Sequence, residues 1–168
     1  AHGLAPWPKP MRLPQTRHVR PPGKLKVLVP GRIAGGKGAD LLACCVPELL
    51  AHCDLILLGS NSAAQPFFAC SGIDVIADYQ LEDLPDLVQQ LAPDLALLPR
   101  TVAETFSYSL SEMRSLAVPV LATNIGALAE RIDAGVDGFL CAPNAASLIA
   151  AVRALAANRE HLATVRDL

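Results

Sequence analysis

What most constrains the fold of this chain is an alternation. Six short aliphatic runs (residues 25–30, 54–59, 72–77, 94–98, 118–122 and 138–141) are separated by stretches with helical spacing (residues 38–51, 81–91, 108–116 and 127–134), and residues 145–168 supply one or two closing helices. The runs are continuously apolar, where a sheet with one wet face would alternate apolar and polar residues, so each strand is expected to be covered on both sides. Parallel neighbours need long crossovers, and the intervening helices provide them. The pattern predicts an α/β, Rossmann-like, three-layer α/β/α domain with a six-stranded parallel sheet over residues 25–168. Composition agrees: 52% of residues are apolar but only 4% aromatic, so aliphatics fill the core. The length of 168 residues suits one such domain.

Residues 1–24 are of a different kind. They hold six prolines (Pro6, Pro8, Pro10, Pro14, Pro21, Pro22) and five bases (Lys9, Arg12, Arg17, Arg20, Lys24) with no acid. Proline fixes φ and removes backbone donors, so this segment reads as an extended leader or interdomain linker. The remaining residues carry 9 bases against 16 acids, a balance of −7. A body of that sign makes no general nucleic-acid binder, because phosphate neutralisation dominates such affinity. The five cysteines (Cys44, Cys45, Cys53, Cys70, Cys141) are odd in number and lack a C-x-x-C pair, and read as reduced core thiols of a cytoplasmic protein. No apolar run is long enough to cross a membrane. The opening Ala1-His2-Gly3 has neither Met nor a signal-like apolar stretch, and we expect an excised piece of a longer chain.

Ligands of open parallel sheets bind beyond the carboxyl ends of the strands, and three such loops carry the candidate chemistry. After the first strand, Gly31-Arg32-Ile33-Ala34-Gly35-Gly36-Lys37-Gly38 sets two cations over a glycine-rich turn into a helix. It reads either as a diphosphate site or as a turn with two solvated bases; it is neither a Walker loop nor a G-x-G-x-x-G fingerprint. After the fourth strand, Glu104 and Glu112 stand eight positions apart around a helix start. The backbone N–H groups of residues 107–110 there suit an anion. Leu110, Met113 and Ala117 are expected on the core face of that helix and Glu112 away from it. After the fifth strand, Gly126 allows a tight turn, Thr123 or Asn124 is expected to cap the next helix, and Glu130 to lie on its surface.

The order Gly31-Arg32…Lys37-Gly38, then Glu104-x7-Glu112, then 117–120…Gly126…Glu130…Gly135…Gly138 resembles the C-terminal, nucleotide-sugar-binding domain of retaining glycosyltransferases of the GT-B fold. Glu104-Thr105-Phe106-Ser107-Tyr108-Ser109-Leu110-Ser111-Glu112 looks like a variant from enzymes of bacterial surface-polysaccharide synthesis. The resemblance covers about residues 24–157. It implies that Arg32 and Lys37 hold the donor diphosphate and serve catalysis with Glu104, which contacts the transferred sugar. It further implies that Glu112 binds the ribose, and that amides of Phe106, Ser107, Tyr108, Ser109 and Leu110 bind phosphate and sugar. No cofactor and no metal are required, because the cations and helix dipole stabilise the leaving diphosphate. The family usually has Gly where this chain has Thr105 and Ser107, so the resemblance does not fix the donor.

What the resemblance leaves unfilled is a partner lobe. The family's N-terminal acceptor-binding domain and its usual catalytic His have no counterpart here; His2, His18, His52 and His161 do not match that role. The expected function is therefore the donor-binding half of a hexosyltransferase acting on a saccharide acceptor, inactive alone, and cytoplasmic, with any contact to the inner face of the membrane left to the missing part. The alternatives are a non-catalytic nucleotide-binding or scaffolding module of the same fold, and a sugar-nucleotide epimerase. Oligomeric state is not legible.

Overall fold

A computed structural model of the chain describes residues 24–166. The expected leader, but for Lys24, lies outside the described residues. Six strands form one sheet: β1 (Leu25–Pro30), β2 (Cys53–Leu58), β3 (Ile73–Ile76), β4 (Leu95–Leu98), β5 (Val120–Thr123) and β6 (Phe139–Cys141). Every pairing is parallel, in the order β3-β2-β1-β4-β5-β6. Six helices cover it: α1 (Ala39–Leu49), α2 (Leu84–Leu91), α3 (Tyr108–Ser115), α4 (Gly126–Arg131), α5 (Ala145–Ala157) and α6 (Glu160–Arg166). The predicted three-layer architecture is the observed one.

The strands divide their side chains between two cores, because successive residues of a strand point to opposite faces. Leu25, Val27 and Val29 of β1, Leu55 and Leu57 of β2, and Leu95 and Leu97 of β4 pack under α1, α5 and α6. Leu28, Ile56, Leu58, Ala96 and Leu98, one residue out of step, pack under α2, α3 and α4 with Leu84, Val88, Leu110, Met113 and Leu128. This double burial is why the runs are continuously aliphatic.

Three differences from the sequence reading have local causes. The helix expected to begin at Leu81 opens as a 3₁₀ turn (Leu81–Asp83) before α2, which carries Pro85 at its start. Ala117 is not on a helix face: α3 stops at Ser115, and Ala117 is exposed with φ of 55°, turning the chain into β5. The segment between β2 and β3, for which the sequence pattern predicts no element, forms a 3₁₀ stretch, Asn61–Phe67, that buries Ala64 and Phe67. Of the cysteines, Cys45, Cys53 and Cys141 are core residues, whereas Cys44 is exposed and Cys70 half-buried. All five are free thiols. Among the described residues no helix is long and apolar enough to cross a membrane.

Candidate functional site

Strand order reverses between β1 and β4: one crossover leads from β1 outward to β2, and the other side of β1 meets β4. Loops leaving these two strands diverge and open a crevice at their carboxyl ends. Both charged loops leave from there, and backbone contacts stitch them together. Thr101 and Val102 donate to the carbonyl of Gly36 at 2.8 and 3.2 Å. Gly38, at φ of 108°, is buried against Pro99; a Cβ there would come within 2.1 Å of the Pro99 carbonyl oxygen, so only glycine fits.

The stitching brings the sequence-predicted charges together. Lys37 Nζ lies 3.4 Å from Glu104 Oε1, and Arg100 Nε lies 3.6 Å from Glu104 Oε2. Glu104 thus sits between two cations drawn from different loops. Arg32 is exposed, forms no ion pair among the described residues, and lines a cavity of about 280 Å³ with Ala34, Ser60, Asn61, Ser62 and Ala63. Ser60 is 1% exposed, and its hydroxyl has no hydrogen-bond partner among the described residues. A buried orphan hydroxyl beside a cation-lined cavity is the kind of group a ligand or water satisfies.

The helix start on the same rim is partly occupied. Ser107, extended at φ of −121°, caps α3 by accepting from the amide of Leu110 at 3.3 Å. That leaves the amides of Tyr108 and Ser109 as the uncapped donors of the first turn. The Leu110 amide, expected among the anion donors, is engaged by this cap. Ser109 faces the first loop, since a Cβ on Gly31 would lie 3.2 Å from its hydroxyl. Phe106 and Tyr108 are exposed and pack edge to face, with ring centroids 4.9 Å apart. Glu112 is half-buried, and burial raises its carboxyl above the ordinary value. Its charge reaches Tyr79, whose phenol is raised first by burial and then by Glu112 and Asp78.

The loop after β5 closes the rim. Gly126, at φ of 54°, lets the backbone approach so closely that a Cβ would sit 2.8 Å from both the nitrogen and the oxygen of Glu104. Ala127 donates its amide to that same oxygen at 2.9 Å. Neither Thr123 nor Asn124 caps α4: the cap position is Ile125, without a side-chain bond. Thr123 is fully buried, and its hydroxyl donates to the carbonyl of Arg100 at 2.7 Å. Glu130 is an exposed helix residue.

Sequence reasoning did not single out Arg100 or Arg131. Arg100 is 2% exposed and donates Nη1 to the carbonyls of Lys37 and Arg32 at 3.0 and 3.4 Å, so it fixes the first loop from beneath. Burial lowers its pKa, and Glu104 opposes that shift. The available signal was a base closing an apolar strand with an acid four positions on. Arg131 bonds Ser107 and Ser111 across α3, and nothing in its local sequence marks that. His52 is half-buried and His161 exposed beside Asn158, both remote from the charged rim.

The chain is similar to proteins of known kind. The family model described as "Glycosyl transferases group 1" matches residues 24–158. No curated protein matches the chain in sequence. Among solved structures, HepE of Anabaena, in complex with UDP and glucose, superposes with a TM-score of 0.70 at 20% identity, over 86% of this chain and 42% of that one. Sucrose-phosphate synthase of Thermosynechococcus elongatus gives 0.71 at 20%, over 88% and 40%. The C-terminal domain of a glycosyl transferase group 1 family protein (LpcC) of Francisella tularensis gives 0.64 at 17%, over 86% and 82%. The chain therefore spans about two fifths of the first two proteins and most of the third, an isolated domain.

Proposed function

Because the chain belongs to the group 1 glycosyl transferases, we propose that it is the donor-binding, C-terminal half of a retaining GT-B glycosyltransferase. It binds a nucleoside-diphosphate sugar at the carboxyl ends of β1 and β4. One observation carries this reading: Lys37 and Glu104, 67 positions apart, meet at 3.4 Å at the strand-order reversal. A diphosphate laid there meets Arg32, Lys37 and the free amides of Tyr108 and Ser109, with Phe106 and Ser107 flanking it. Glu104 faces the transferred hexose and Glu112 the ribose. The cations and helix start carry the charge that develops on the leaving diphosphate, so no metal enters the step. Arg32, Lys37 and Glu104 are the groups of the reaction itself.

The acceptor, a saccharide of bacterial polysaccharide synthesis in this reading, belongs to a second lobe, and the fragment alone binds donor without turnover. Charge favours this over a scaffolding role, since a scaffold gives the exposed Arg32 nothing to meet.

Calorimetric titration of the chain with UDP, GDP and ADP, and their sugar conjugates, tests the reading. Saturable binding of at least one, unchanged by EDTA and weakened in Arg32→Ala and Lys37→Ala, is the expected result. Absence of binding by all of them at millimolar concentration overturns it.

A further inference from the structure

The donor-site reading rests on an anion-binding turn at the start of α3, and the structure shows what holds that turn. Arg131, the last residue of α4, reaches across to it. Its Nη1 donates to the carbonyl of Ser107 at 2.9 Å and its Nη2 to the hydroxyl of Ser111 at 2.8 Å. Its guanidinium carbon lies 4.5 Å from the centroid of Phe106, which stacks over it. Behind it, Arg114 donates to the carbonyl of Arg131 at 2.7 Å and pairs with Asp137 at 2.9 Å. Arg131 thus grips the cap residue, the ring before it and a hydroxyl one turn on.

The electrostatics of this placement are unusual. A cation is unfavourable at the positive end of a helix, where carboxylates stabilise. The first turn of α3 holds no acid, and Arg131, half-buried, forms no ion pair among the described residues. The stability of α3 gives no reason for a cation there, whereas an anion seated on the turn does: it would meet the amides, the helix dipole and an unneutralised guanidinium together. The fork matters as well as the charge, because a lysine cannot hold a carbonyl and a hydroxyl at two fixed angles while stacking on a ring.

We propose that Arg131 is the positioning residue of the donor's diphosphate site. It acts through Ser107, Ser111 and Phe106 to set the amides of Tyr108 and Ser109, and contributes uncompensated positive charge to them. It rests on the donor-site reading above and deepens it.

The test is titration of the whole chain with UDP and with inorganic pyrophosphate, at a temperature where every variant is folded, with uridine as the phosphate-free control. Arg131→Ala should weaken UDP and pyrophosphate by at least about tenfold, which is 1.4 kcal/mol, and leave uridine unchanged. Arg131→Lys should recover only part of the loss. Ser111→Ala, which removes one acceptor at little risk to folding, should shift UDP in the same direction by less. If Arg32→Ala loses UDP while Arg131→Ala binds like the parent, the donor site stands and this inference is overturned. A purely structural Arg131, lowering the melting temperature without changing either affinity, overturns it equally. If the parent chain binds neither UDP nor pyrophosphate, the donor-site reading fails and takes this inference with it.

Discussion

Arg100→Ala is the perturbation that most directly probes how the two charged loops are joined. Arg100 is 2% exposed, and three groups depend on it: the Lys37 carbonyl at 3.0 Å, the Arg32 carbonyl at 3.4 Å and the Glu104 carboxylate at 3.6 Å. A hydrogen bond from a charged donor contributes about 1.5–3 kcal/mol, and the bond to Lys37 alone accounts for that much. The bond to Arg32 is long and adds less. Glu104, whose side chain is 20% exposed, would keep only Lys37, itself 47% exposed and screened by water. Breaking a buried pair by removing one partner costs about 3–5 kcal/mol, and we expect the lower half of that range here because Glu104 is not fully buried. For a chain of this size the corresponding fall in melting temperature is about 6–16 °C. Arg100→Lys keeps the charge but not the fork, and should lose about 1–2 kcal/mol. Urea unfolding of the chain measures both, and UDP titration should show weakened binding in each, since the first loop loses its support. An Arg100→Ala chain within about 1 kcal/mol of the parent, binding UDP normally, would refute the reasoning.

Glu112→Gln should raise the melting temperature at pH 8 while weakening UDP binding. Burial raises the Glu112 carboxyl in the folded chain, so its ionised form destabilises the fold; that destabilisation sets in as pH rises from the unfolded-state pKa through the raised one, and the gain from Gln should vanish in acid. Gly126→Ala should destabilise by more than about 1 kcal/mol and weaken UDP binding, because the new Cβ must displace the backbone of Glu104 from 2.8 Å; calorimetry reads both. In thiol labelling of the folded chain, Cys44 should react first, while Cys45, Cys53 and Cys141, pushed up by burial to about 11, 12 and 11, should react only on unfolding.

The sheet was legible because its signal is redundant. Burial on both faces makes residues 25–30 and 94–98 apolar throughout, and no helix of a small domain needs so short and dense a run. The placing of Arg32, Lys37 and Glu104 on one rim followed from the rule that ligand-binding loops leave the carboxyl ends of parallel strands. What sequence could not supply were partners set by three-dimensional approach. Arg100 looks like a strand's closing residue until its guanidinium is seen under a loop 63 positions away. Arg131 looks like the basic end of a short helix, a commonplace by the dipole of its own helix, and only its contact with a different helix reveals the inverted sign. Thr123 reads as a cap on sequence, but the carbonyls of Leu98 and Arg100 compete for its hydroxyl, and the buried pair wins. Ala117 fails for a similar reason: helical periodicity runs through it, but the chain must reverse there to enter β5.

Glu104 already pairs with Lys37 and Arg100 on this rim, and on the proposed reading that bears on how a donor would enter. Lys37 is held by Glu104, so an arriving diphosphate must draw Lys37 away before the lysine can serve it. The exchange is close to even in water-exposed surroundings, because one carboxylate oxygen at 3.4 Å is replaced by a phosphate oxygen at similar range. Glu104, released from Lys37, would keep Arg100 at 3.6 Å and so stay paired and fixed in direction. Arg32 and Arg131, which form no ion pair among the described residues, would supply the net gain. On the proposed donor-site reading, this pairing sorts the four cations into two roles: Lys37 and Arg100 would hold the carboxylate for the sugar, and Arg32 and Arg131 would supply the charge that draws the diphosphate.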